Sequence, residues 1–220
     1  RELCLNISHL ATLGASRKFL TQWEVGVDLQ IQPLVHRHLR NHPSLMLYTT
    51  LADEEWSRLE TLGKVEMYEP GHLPQNLHVN PCALIIKEVP PAASATSDTP
   101  TIKARLIVDL KKGGVNANAD TVPVHYGSVE KAASMLTPGC FMFVIDLADA
   151  FFNWRVLGDS SQVLGFYNPE RNCYGKYTYL PFGFTSSPGI NDDSIKELLR
   201  LLKLHHNIDL VDFVDDMLGC

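Results

Sequence analysis

Short blocks of branched apolar residues bounded by turn formers punctuate this chain, and stretches with apolar residues at helical spacing lie between them. NPCALIIKEV (80–89) and IKARLIVDL (102–110) predict strands, and PPAASATSDTP (90–100), almost without apolar bulk, predicts a mobile hairpin loop joining them. FMFVIDL (141–147) predicts a buried strand, and VLGFYN (163–168) and KYTYL (176–180) predict two more around the turn PERNCYG. The tail IDLVDFVDDMLGC (208–220) reads as strand, tight turn and strand, with the turn at Asp215-Asp216 and with Val211 and Phe213 facing the core.

Helical spacing runs through 44–70, with Gly63 as a stop, and through SVEKAASML (128–136), with Ser128 as N-cap and Pro138-Gly139 ending it. SPGINDDSIKELLRLLKLHH (187–206) is the best signalled helix. Ser187 suits the cap, Pro188 the first position, and Asp192 and Asp193 the positive end; Lys203, His205 and His206 suit the negative end. Ile195, Leu198, Leu199 and Leu202 give it an apolar face. Residues 1–45 mix short helical patterns, ISHLATLG and LVHRHLRNH, without a sharp motif. Helices and strands intersperse without regular alternation, so the fold class is α+β.

Composition adds bounds. The chain has 220 residues, 45% of them hydrophobic, enough for a substantial core. Five scattered cysteines, none in a C-x-x-C pair, suggest neither a disulfide framework nor a zinc site, and a reducing, intracellular setting fits. No apolar stretch is long enough to span a bilayer, so no membrane partner is expected. The net charge of −6 argues mildly against nucleic acid, but HRHLRNH (36–42) and Lys103, Arg105, Lys111 and Lys112 form local basic clusters. A start at Arg rather than Met points to a piece of a longer polyprotein.

Acid stands where a strand interior calls for apolar residues: Asp146 in FVIDL, and Asp215 and Asp216 in FVDDM. If the two strands are neighbours, the three carboxylates converge, and hard oxygen donors without a nearby cation suit magnesium. Taken alone, each acid reads equally well as a solvated turn residue.

FVIDLADAFFNWRV, YTYLPFGFTSSPGIND and VDFVDD, in that order, closely resemble three successive motifs of the reverse transcriptases of LTR and DIRS-like retrotransposons. Upstream, HVNPCALIIKE and ARLIVDLKKGGVN are similar to strands of the same family's fingers. The resemblance covers roughly 46–220. It implies the fingers and palm of a right-hand polymerase, with an antiparallel palm sheet packed on helices. The fingers would span 46–121 and 154–186, the palm 122–153 and 187–220, with 1–45 as an N-terminal extension.

By this resemblance Asp146, Asp215 and Asp216 are the catalytic carboxylates and hold magnesium, with manganese as a substitute. Phe151 lies under the sugar and excludes a 2′-hydroxyl; Phe182 and Gly183 belong to a loop against the incoming nucleotide and template; Arg105 meets the triphosphate, with Lys103 a second candidate for the same role. Asp149 is a non-ligand acid, structural or near the triphosphate. The implied partners are an RNA or DNA template with primer and deoxynucleoside triphosphates. Phe151 and the Val214-Asp215-Asp216 run set the chain apart from viral RNA-dependent RNA polymerases, which resemble it less. The family's thumb and RNase H domain would follow the hairpin and are expected to lie outside this chain, leaving it weak or inactive alone. The alternative expectation is a non-catalytic retrotransposon remnant that at most binds nucleic acid.

Overall fold

A computed structural model describes residues 6–89 and 101–220, so the 90–100 hairpin loop lies outside the described residues. The described elements, in order, are α1 (Ile7–Thr12), α2 (Arg17–Glu24), α3 (Pro43–Met46), α4 (Thr49–Thr61), β1 (Val65–Met67), β2 (Cys82–Val89), β3 (Thr101–Val108), α5 (Val129–Met135), β4 (Phe143–Asp146), β5 (Gly165–Asn168), β6 (Cys173–Tyr177), α6 (Ser187–His206), β7 (Leu210–Phe213) and β8 (Asp216–Gly219). The strands form three antiparallel groups, β1-β6-β5, β2-β3 and β4-β8-β7.

The main core lies around α4 and the β1-β6-β5 sheet. Trp56 stacks on Phe166 with centroids 4.8 Å apart, and Phe166 meets Tyr177 at 5.2 Å. Burying a ring of this size contributes about 1.5–3 kcal/mol. The N-terminal residues belong to this core: Phe19, Val27 and Leu29 are buried, and Phe19 and Trp23 pack on Trp154 at 6.2 and 5.2 Å. The run LVHRHLRNH is extended rather than helical, because Leu39 N–H donates to the Val79 carbonyl and Val79 N–H to the Arg37 carbonyl.

The helix over 187–206 forms as the spacing predicts, but its cap and buried face differ. Ser186 holds the cap position without a capping bond; Ser187 is already helical, and its hydroxyl donates to the Pro181 carbonyl. The buried residues are Ser187, Gly189, Ile190, Asn191, Asp192, Ser194, Ile195 and Leu201, so a largely polar first half is turned inward. From outside, the α1–α2 corner holds the helix: Lys18 pairs with Asp193 at 2.7 Å and Ser16 N–H donates to Glu197.

The β4-β8-β7 sheet departs furthest from the apolar pattern. β4 is exposed throughout, with Val144 at 65%, because it is an edge strand whose residues pack against little within this chain. Cys140 and Cys220 are disulfide-bonded, contrary to the scattered cysteine spacing, since the β4–β8 pairing brings positions 80 residues apart to a Cα separation of 5.9 Å. Among the described residues no helix is long and apolar enough to cross a membrane.

Candidate active site

The β7–β8 hairpin turns at Val214 and Asp215, one residue earlier than the sequence suggests, so Asp216 already belongs to β8 and pairs with Phe213. Val214 sits at φ 62, a left-handed conformation rare for a β-branched residue and costing on the order of 1–3 kcal/mol. Two bonds hold that turn. The Asn191 amide donates to the Val214 carbonyl at 3.0 Å, and Leu147 N–H donates to the Asp215 carbonyl at 2.9 Å. Asn191 is fixed in turn by the Trp154 indole N–H, which donates to its Oδ1 at 2.9 Å.

Asp146 and Asp216 are direct register partners across β4 and β8, and Asp215 follows Val214 in the adjoining turn. The three acids therefore share one sheet end, as their strands require if they are neighbours. All three are exposed, and none has an ion pair or side-chain hydrogen bond among the described residues. Placement in water removes the cost that burial in a strand would carry. Among the described residues no three His, Cys, Asp or Glu side chains are gathered closely enough to hold a metal ion as a group. Like charges at one sheet end repel one another. The donors are carboxylate oxygens, the ligand type that magnesium prefers, and of the three only Asp146 and Asp216 are paired by register.

Three of the sequence-predicted nucleotide residues come together. The Arg105 guanidinium lies over the Phe182 ring at 5.5 Å, and Phe182 meets Phe151 at 5.1 Å. Arg105 is exposed on β3, opposite Ile85 in register. Gly183 has φ 109, and a Cβ there would stand 2.2 Å from the Val108 carbonyl oxygen. The close approach it permits is thus to β3. Lys103 pairs with Lys87 in the β2–β3 ladder, but its side chain lies outside the described residues. Asp149 adopts φ 51 and pairs with Arg58 at 3.1 Å, so it is held within the protein.

Sequence reasoning missed several supports. Asn116 clasps the PFGF loop, donating to the Gly183 carbonyl at 2.9 Å and accepting from Thr185 N–H at 3.0 Å. Phe213, expected to face the core, is 60% exposed against Tyr126, whereas Val211 is buried as expected and Asp212 is 4% exposed. Burial first, then the neighbouring Asp192 carboxylate, push Asp212 above the ordinary aspartate range. Burial also works to raise Asp192, but the hydrogen bonds from Lys196 and from the His125 N–H oppose it, and Asp192 is held below the ordinary range. The one sequence signal for this pair was a polar Asn-Asp step in an otherwise amphipathic helix.

No protein-family model matches the chain. Part of it is similar to retroviral polyproteins. It is 30% identical over 124 residues, 54% of the chain, to a Gag-Pol polyprotein of avian reticuloendotheliosis virus. It is 34% identical over 104 residues, 44% of the chain, to a Pol polyprotein of feline endogenous virus ECE1. It is 35% identical over 80 residues, 34% of the chain, to a Gag-Pol polyprotein of baboon endogenous virus (strain M7). The matches span only 11%, 10% and 5% of those polyproteins. Over part of its length, then, this chain is similar to pol-derived retroviral sequence at modest identity.

Proposed function

We propose that the chain carries the nucleotidyl-transfer centre of an RNA-directed DNA polymerase, built on right-hand fingers and palm. The observation that carries the reading is the set Asp146, Asp215 and Asp216, brought to one end of a single sheet by the β4–β8 and β7–β8 pairings and left unneutralised among the described residues. The order of the three motifs and the similarity to Pol polyproteins support it.

In this reading Asp146 and Asp215 are the principal metal ligands and Asp216 the third carboxylate. Bound magnesium, or manganese in its place, would supply charge neutralisation of the reacting oxygens. The primer 3′-oxygen attacks the α-phosphorus of a deoxynucleoside triphosphate and its proton passes to solvent. The bond from that phosphorus to the bridging oxygen breaks, and pyrophosphate leaves with the electron pair. Arg105 pairs with the triphosphate through its guanidinium fork. Phe151 underlies the sugar and crowds a 2′-hydroxyl, and Phe182, tilted against Phe151 and lying under the Arg105 guanidinium, forms the floor beside the base.

The test is primer extension on an RNA template by the full-length protein, with deoxynucleotides and magnesium. Extension should stop on chelation and fall by at least about a hundredfold in Asp215→Ala. Unchanged extension in that variant would overturn the assignment. Template binding without extension by the unaltered protein would fit a non-catalytic remnant instead.

A further inference from the structure

We propose that His78 is a positioning residue. As the neutral Nε2–H tautomer it ties the extended run at 36–39 to the turn at 109–116, and through that turn it sets the loop that carries Phe182 and Gly183. The consequence for nucleotide addition rests on the nucleotidyl-transfer reading; the junction itself does not.

His78 is wholly buried, and both nitrogens of its ring are used. Nδ1 accepts from the Arg37 N–H at 3.1 Å, and Nε2 lies 2.9 Å from the Gly113 carbonyl oxygen. A carbonyl can only accept and a backbone N–H can only donate, so the ring proton sits on Nε2 and Nδ1 carries none. A second proton would set donor against donor at Arg37, so the junction needs the neutral ring. Burial, foremost, holds His78 below the ordinary histidine range, against the bond to Gly113, and the nearby His36 and Arg37 add to that effect. The backbone from which the ring projects is itself fixed, since the His78 N–H donates to the Gln162 carbonyl at 2.9 Å.

The two ring contacts belong to different segments. On one side the Val79 N–H donates to the Arg37 carbonyl and the Leu39 N–H to the Val79 carbonyl, so the bond to Nδ1 extends an existing pairing. On the other side a Cβ at Gly113 would stand 2.0 Å from Asn80 Oδ1. Glycine there lets the turn come close enough for its carbonyl to reach Nε2. The turn is closed by the Gly113 N–H on the Asp109 carbonyl at 3.0 Å and the Asn116 N–H on the Leu110 carbonyl at 3.1 Å. Asn116 then clasps the Gly183 carbonyl and the Thr185 N–H. A continuous series of hydrogen bonds thus runs from the buried imidazole to the loop beside Phe182.

Each half of the ring has an amide mimic. Asparagine Oδ1 lies as many bonds from Cβ as Nδ1 does, and glutamine Nε2 as many as the ring Nε2. In the full-length protein His78→Asn should keep the bond to Arg37 and lose that to Gly113, and His78→Gln should do the reverse. Hydrogen exchange read at single amides reports both ends. Thr185 should exchange about ten- to a hundredfold faster in His78→Asn and near the unaltered rate in His78→Gln, and Arg37 should show the opposite pattern. KM for the deoxynucleoside triphosphate should rise about tenfold in His78→Asn and less than about twofold in His78→Gln. Gly113→Ala, which displaces the carbonyl and leaves the ring intact, should speed exchange at Thr185 and not at Arg37. The junction is overturned if Thr185 keeps its unaltered rate in both His78→Asn and Gly113→Ala, or if both amides speed up alike in the two His78 variants. Equal KM values in those variants would overturn the link to the nucleotide loop. If the unaltered protein extends no primer, the polymerase reading fails, and the exchange pattern alone decides the junction.

Discussion

Arg105 and Phe182 stack across 5.5 Å, a cation over an aromatic face, joining a strand of the β2–β3 hairpin to the loop that precedes α6. The ring holds the guanidinium laterally and leaves its N–H groups for an anion, whereas an ammonium on a flexible stem would not be oriented in the same way. Arg105→Lys should therefore behave more like Arg105→Ala than like the unaltered protein. Both substitutions are expected to raise KM for the deoxynucleoside triphosphate about tenfold or more, corresponding to the ~1.5–3 kcal/mol of a charge-assisted hydrogen bond, with thermal stability nearly unchanged. Steady-state primer extension with a titrated nucleotide checks this. Wild-type KM in Arg105→Lys would remove the stacking argument.

Gly183 and Val108 make a tighter contact, and here the expected effect is on folding. At φ 109 an L side chain is strained, and a Cβ would meet a backbone oxygen that the β3 ladder keeps from moving aside. Gly183→Ala should cost roughly 1–3 kcal/mol or more, lowering Tm by several degrees in a chain of this size. It should also disturb the Asn116 clasp on the same loop. Calorimetry of Gly183→Ala beside Gly158→Ala, where a Cβ would meet nothing within 4 Å, separates local strain from a general cost of replacing glycine.

What the sequence could convey divides along a physical line. β2, β3, β5 and the span of α6 were legible because local periodicity and turn formers mark each segment, but β6 runs Cys173–Tyr177 and so begins inside the expected turn, and the buried face of α6 is set by other elements. β4 was not: FMFVIDL reads as buried because it is apolar, yet an edge strand is covered only if something else packs on it, which periodicity does not encode. The turn position depended on whether Val214 would accept a left-handed conformation, a choice made by the Asn191 bond from another element. Asp192 read as an acid at the positive end of α6, and its burial depends on the His125 N–H from another element, which the helix pattern does not report. The Asp146, Asp215 and Asp216 set was visible as acid in the wrong place, and pairing supplied the common sheet end.

Glu197 provides the last expectation, a pH dependence of stability. Its carboxylate accepts from Arg200 Nε at 2.9 Å and from the Ser16 N–H, tying α6 to the start of α2. The hydrogen bond from Arg200, opposed by burial and joined by the Ser16 N–H, pulls it from 4.5 to about 2. A carboxylate held low in the folded state contributes stability that is fully present above its unfolded value. That contribution is lost as pH falls through the folded one. The stabilisation from this tie should therefore be intact at pH 6, decline below about 4.5 and be gone near pH 2. Glu197→Gln should lower Tm at pH 6, with the gap to the unaltered protein closing as the pH falls through that window. Because the difference between the two proteins is what titrates, the other carboxylates largely cancel. A gap that stays constant from pH 6 to about pH 2.5 would mean that packing at this position, and not the charge on Glu197, holds the α1–α2 corner to the helix.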